Sequence, residues 1–135
     1  MIDPIYFACF KELITDVTDR SGIELPYAVG EYCTALLAEY TTNRKIDYAE
    51  AFAIRLMGSE SYEDCKTVGD DCLMLVGAFP NYGNRRGISR GYYIEIGKMA
   101  YTKIDRPIFL ELVKFFEPAS EVIKEAVTGT QARLL

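Results

Sequence analysis

An all-α fold is predicted for this 135-residue chain by three observations. Apolar residues recur at three-and-four spacing along most of it, capping residues precede those runs, and no segment alternates convincingly in the two-residue rhythm of a strand. Five to seven helices joined by short loops would pack as one compact orthogonal or bundle-like domain over 1–129, with 130–135 as a flexible C-terminal tail. Half of the residues are hydrophobic and 26% are charged, a globular composition rather than a disordered one.

Asp3-Pro4 opens the first helix: the carboxylate caps free amides, and proline is tolerated at the first helical position. Tyr6, Phe10, Leu13, Ile14 and Val17 supply its inward stripe, and Gly22 stops it. Pro26 opens a second helix that buries Val29, Cys33, Leu36, Leu37 and Tyr40 and ends at Thr41-Thr42-Asn43. Asp47 and Glu50 form a capping box, with Ile46 stapled onto Ala51, for a short third helix reaching Gly58. Ser61 and Asp64 repeat that logic for a fourth. Its seam of Tyr62, Cys65, Gly69, Cys72, Val76 and Phe79 is the most regular in the chain, which makes this the expected central helix.

Pro80 breaks that helix, and Asn81, Gly83, Asn84 and Gly87 tolerate turns. Ser89 caps a fifth helix carrying Tyr93, Ile96, Gly97, Ala100 and Ile104. Gly69 and Gly97 would each cost about 1 kcal/mol relative to alanine, which is tolerable where two helices approach closely. After a corner at 105–107, helical spacing continues from Ile108 through Ala126 despite Pro118. A kink, or two short helices end to end, is expected there.

The four cysteines, Cys9, Cys33, Cys65 and Cys72, all lie among helical apolar residues and read as reduced core thiols. The chain has no histidine and no Cys-x-x-Cys, which argues against a structural zinc site, di-iron bundles and histidine-based hydrolases. No cofactor and no metal ligand set is read from the sequence. The N-terminus lacks the pattern of a signal peptide, and no apolar run approaches the ~20 residues that span a bilayer, so a cytoplasmic protein is expected. A pI near 4.8 argues against general nucleic-acid or membrane binding.

Charge is unevenly divided. Arg85, Arg86, Arg90, Lys98 and Lys103 against Glu95 give 79–103 a net charge of +4, leaving −9 elsewhere in a chain of net −5. The stretch 79–101 also holds four glycines and four tyrosines. Arg85, Arg86 and Arg90, with Tyr82, Tyr92 and Tyr93, are therefore the candidate contact residues. Guanidinium groups grip carboxylate or phosphate in a forked geometry, and tyrosine faces stack.

Three readings stay open for that junction. Its arginines tie the loop to acids of the same chain, such as Asp70, Asp71 or Glu95; or 81–93 contacts an acidic protein surface or a second copy of the chain; or it holds nucleic acid or a phosphorylated ligand. In the last case the chain is a ligand-binding protein or a Mg²⁺-dependent enzyme, with Asp70 or Asp71 holding the metal. The carboxylates of 47–71 otherwise read as solvated surface. Glu60-Ser61-Tyr62-Glu63 matches half of a helical pyrophosphohydrolase metal motif, and the second half is absent. The glycines at 83, 87, 91 and 97 do not follow a phosphate-binding or dinucleotide-binding pattern. The favoured expectation is a binding protein rather than an enzyme, acting on an acidic partner or as a homodimer.

At Phe79-Pro80, Arg85-Arg86, Ser89, Tyr92-Tyr93, Gly97 and Ala100-Tyr101 the chain resembles a family of uncharacterised bacterial, mostly proteobacterial, proteins. In that family an apolar helix ends in Phe-Pro, a double arginine follows, and the next helix carries paired aromatics and a Gly-x-x-Ala-Tyr ending. The resemblance covers 75–101 and implies a helical cytoplasmic protein with no established activity. It assigns no catalytic residue.

Overall fold

The computed structural model describes residues 3–48, 50–79 and 89–134, and the described residues form seven α-helices and no strand. They are α1 (Pro4–Ser21), α2 (Tyr27–Thr42), α3 (Phe52–Met57), α4 (Tyr62–Ala78), α5 (Arg90–Thr102), α6 (Pro107–Lys114) and α7 (Phe116–Leu134). The all-α expectation holds. None of the described helices is long and apolar enough to cross a membrane.

The helix starts follow the local chemistry. Asp3 accepts the Ile5 amide at 2.9 Å, Ser61 accepts that of Asp64 at 3.1 Å, and Ser89 accepts that of Tyr92 at 3.3 Å. Gly22 closes α1 with φ 73°, a left-handed conformation that costs a side chain dearly and glycine little. α1 lays Phe10, Leu13, Ile14 and Val17 against α2 and α7; burying each contributes about 1.5–3 kcal/mol. Tyr6 and Cys9 differ from expectation: both lie on the exposed side of α1, so Cys9 is not a core thiol.

α4 is the central helix, with every residue over 68–77 buried between α5 and α7. Its close approaches are filled by aromatic rings. A Cβ on Gly69 would lie 2.4 Å from the Tyr101 ring, and one on Gly97 would lie 2.6 Å from the Phe116 ring and 2.9 Å from Cys72 Cβ. Phe79, placed on the inward seam from the sequence, is instead the exposed residue that follows α4.

Two boundaries move. The Asp47–Glu50 capping box does not form; α3 begins only at Phe52, after Ala51, because Asp47 is drawn elsewhere, its backbone N–H donating to the Asp71 carboxylate at 3.4 Å. The expected interruption near Pro118 comes three residues earlier, at Phe115, between α6 and α7. Proline at 118 has no N–H to give the carbonyl of Lys114, the last residue of α6, whereas the Ala119 N–H bonds Phe115 at 2.8 Å. The backbone helix of α7 also runs to Leu134, past the end expected at Gly129.

Candidate functional site

Of the six junction residues singled out in the sequence, Tyr82, Arg85 and Arg86 lie outside the described residues. The other three sit on the first turn of α5. Arg90 donates to Ser120 Oγ at 3.1 Å and to Glu121 Oε1 at 3.2 Å on α7, and both Arg90 and Glu121 side chains remain 45% exposed. Tyr92 Oη accepts the Ala53 N–H at 3.1 Å, and its ring meets that of Tyr93 edge-on at 5.2 Å. Tyr93 is only 4% exposed and packs edge-on against Phe52, ring centroids 5.7 Å apart. This corrects the expectation for Tyr93, whose ring fastens α5 to α3 and is not offered to an outside molecule. Arg90 alone among these three faces solvent broadly.

The strongest polar constellation is elsewhere, at the middle of α4. Asp70 is fully buried and accepts four donors: Tyr32 Oη and Tyr101 Oη, each at 2.6 Å on Oδ1, and Arg44 Nη1 at 2.9 Å and Lys66 Nζ at 3.0 Å on Oδ2. Asp71, also buried, accepts Tyr40 Oη at 2.5 Å, Arg55 Nη2 at 2.9 Å and the Asp47 amide. Arg44 further binds Glu39 at 3.0 Å and covers the Tyr40 ring, while Arg55 covers the Phe52 ring. Three carboxylates thus meet three cations, and the cluster is neutral as a whole.

Burial sets the protonation of this lattice. It drives the hydroxyls of Tyr32, Tyr40 and Tyr101 well above the usual tyrosine range, and the neighbouring carboxylates add to the effect. The same desolvation raises Asp71 above its ordinary 3.8, against the opposing pull of Tyr40, Arg55 and the Asp47 amide. Burial also pushes the Cys33 and Cys72 thiols up to about 12, so both stay protonated and inert.

Asp70 and Asp71 are therefore not solvated surface, and neither pairs with Arg90, the junction arginine among the described residues. Four donors occupy the two oxygens of Asp70, which is the full capacity of a carboxylate. Neither side chain faces solvent, where a Mg²⁺ ligand set would have to open. Among the described residues no group of three or more His, Cys, Asp or Glu side chains is placed to hold a metal ion. What the lattice does is mechanical: from one helix it pins α2, α5 and the 44–55 segment. Its one advance signal in the sequence was a pair of acids next to the Gly69–Cys72 seam of the most apolar helix, with Lys66 four residues before Asp70.

The chain matches no family model, no curated protein and no solved structure.

Proposed function

We propose that the chain is a non-catalytic binding protein of the bacterial cytoplasm, and that its basic, aromatic-rich junction 81–93 contacts an acidic protein surface or a second copy. The observation that carries this reading is the contrast in how the arginines are used. Arg44 and Arg55 are committed to buried carboxylates, whereas the ion pair of Arg90 among the described residues is a half-exposed bridge to Glu121, beside a hydrogen bond to Ser120 Oγ. An exposed pair of this kind is worth about 0–1 kcal/mol, so an incoming carboxylate displaces it at little cost. Phe79, 50% exposed just before the junction, adds apolar area beside the charge. Interfaces favour this mixture of arginine and aromatic side chains. The resemblance to the uncharacterised bacterial family belongs to the same proposal and adds no activity to it.

The test is binding to an acidic polypeptide. Fluorescently labelled poly-glutamate is expected to bind the wild-type chain in a salt-sensitive way, and Arg85→Ala/Arg86→Ala/Arg90→Ala is expected to weaken that binding at least about tenfold with helical circular dichroism retained. Equal binding by the two proteins would remove the junction from the account.

A further inference from the structure

α1 and α2 lie side by side, joined by the 22–26 turn, and both pack inward on α7. Along their outer faces runs a cleft of about 600 Å³, a size that suits a small ligand, floored by Ile14, Leu25 and the buried Thr34. Gly30, inside α2, lines it. Packing explains Gly69, Gly77 and Gly97, where a Cβ would lie 2.4 to 2.7 Å from a neighbouring side chain; a Cβ on Gly30 would meet nothing within 4 Å. Glycine weakens a helix relative to alanine, so Gly30 leaves the cleft open at a cost that no neighbour imposes.

The polar side chains of the cleft suit a donor. Lys11 Nζ already sits 3.1 Å from Glu31 and 5.9 Å from the centre of the Tyr27 ring, which is 76% exposed. The Thr18 and Thr34 hydroxyls donate to the Thr15 and Gly30 carbonyls and keep acceptor capacity. Asp19 and Glu24 also line the cleft and have no ion-pair partner among the described residues. Acceptors, an aromatic face and an apolar floor together complement an alkylammonium ion, and Lys11 between Glu31 and Tyr27 shows that recognition within the chain. Among the described residues no three acids are placed to hold a metal ion, which leaves an organic cation. We propose that the α1–α2 cleft binds a linear aliphatic polyamine, with ammonium groups on Asp19 and Glu24 and the methylene stem laid past Gly30 over Ile14 and Leu25. This site shares no residue with the junction 81–93 and goes beyond the role proposed there.

Calorimetric titration of the full chain with spermidine tests this. The wild type is expected to bind saturably at a single site, and Asp19→Asn/Glu24→Gln to weaken binding at least about tenfold, because each ammonium loses a charged acceptor. Glu60→Gln/Glu63→Gln makes the same change of charge at exposed positions outside the cleft and should bind as the wild type does. Gly30→Leu puts a side chain into the open space and should abolish binding without lowering the melting temperature, since leucine favours the helix more than glycine does. Should that variant lose helical signal, Gly30→Ala replaces it, expected to weaken binding about threefold or more while raising the melting temperature. A wild type that does not saturate overturns the site. So does equal binding by the cleft variants and the wild type, or an equal loss in Glu60→Gln/Glu63→Gln, which would make the attraction one of overall acidity.

Discussion

The two arginine-and-tyrosine clusters of this protein are built from the same side chains and are put to opposite uses. At the middle of α4, Arg44 and Arg55 join Tyr32, Tyr40 and Tyr101 around two buried aspartates, and every charge has a partner inside the chain. At the head of α5, Arg90 reaches the half-exposed Glu121 and the Ser120 hydroxyl on α7, while Tyr92 and Tyr93 serve as fasteners to α3. Burial makes the difference. Out of water, a charge must be matched or it destabilises the fold by several kcal/mol; at the surface, water does most of the matching and the ion remains available to another molecule.

The largest effect that can break this comparison is at Asp70. Asp70→Ala strips one acceptor from two buried hydroxyls and two cations, and urea denaturation is expected to show a loss of about 3–5 kcal/mol. A loss below about 1 kcal/mol would mean that Arg44 and Lys66 simply swing into solvent, and that the lattice is not the anchor described here.

A smaller effect, with a definite sign, concerns Asp71. Its folded-state value is raised, so the folded protein holds this proton more tightly than the unfolded chain does. The contribution of Asp71 is therefore most favourable below the ordinary value near 3.8 and is lost as pH rises through the raised value. Denaturant melts of wild type and Asp71→Asn across that range should show the wild type's relative stability falling with rising pH and then levelling. A relative stability that rises with pH would place Arg55 attraction above desolvation at this site.

The smallest effect belongs to the exposed corner. Arg90→Ala should change stability by no more than about 1 kcal/mol in the same assay, since the bridge to Glu121 is solvated on both sides. A cost of 3 kcal/mol would move Arg90 into the structural class with Arg44 and Arg55.

The helices were legible in the sequence wherever local chemistry decides them. Asp3, Ser61 and Ser89 cap the helices they were expected to cap, and the Cys65, Gly69, Cys72 and Val76 seam does run through the most buried helix. Legibility failed where a distant residue wins. The Asp47–Glu50 capping box gave way because the Asp47 amide bonds Asp71, 24 residues on. The lattice itself was hidden for the same reason: Tyr32 and Tyr101 reach Asp70 from 38 and 31 residues away, and hydrophobic periodicity carries no information about which distant hydroxyl meets which acid. Asp70 and Asp71 looked like solvated helix surface because charged residues almost never lie fully buried unless paired. The pairing partners come from three other elements.

The division of the arginines into two classes is tested most directly by the denaturation free energies of two variants measured side by side. Arg44→Ala/Arg55→Ala is expected to lose about 3 kcal/mol or more, because it leaves the carboxylates of α4 short of donors in a buried site. Arg85→Ala/Arg86→Ala/Arg90→Ala, which removes more positive charge, is expected to stay within about 1 kcal/mol of wild type. Equal losses, or the larger loss in the junction variant, would contradict the account.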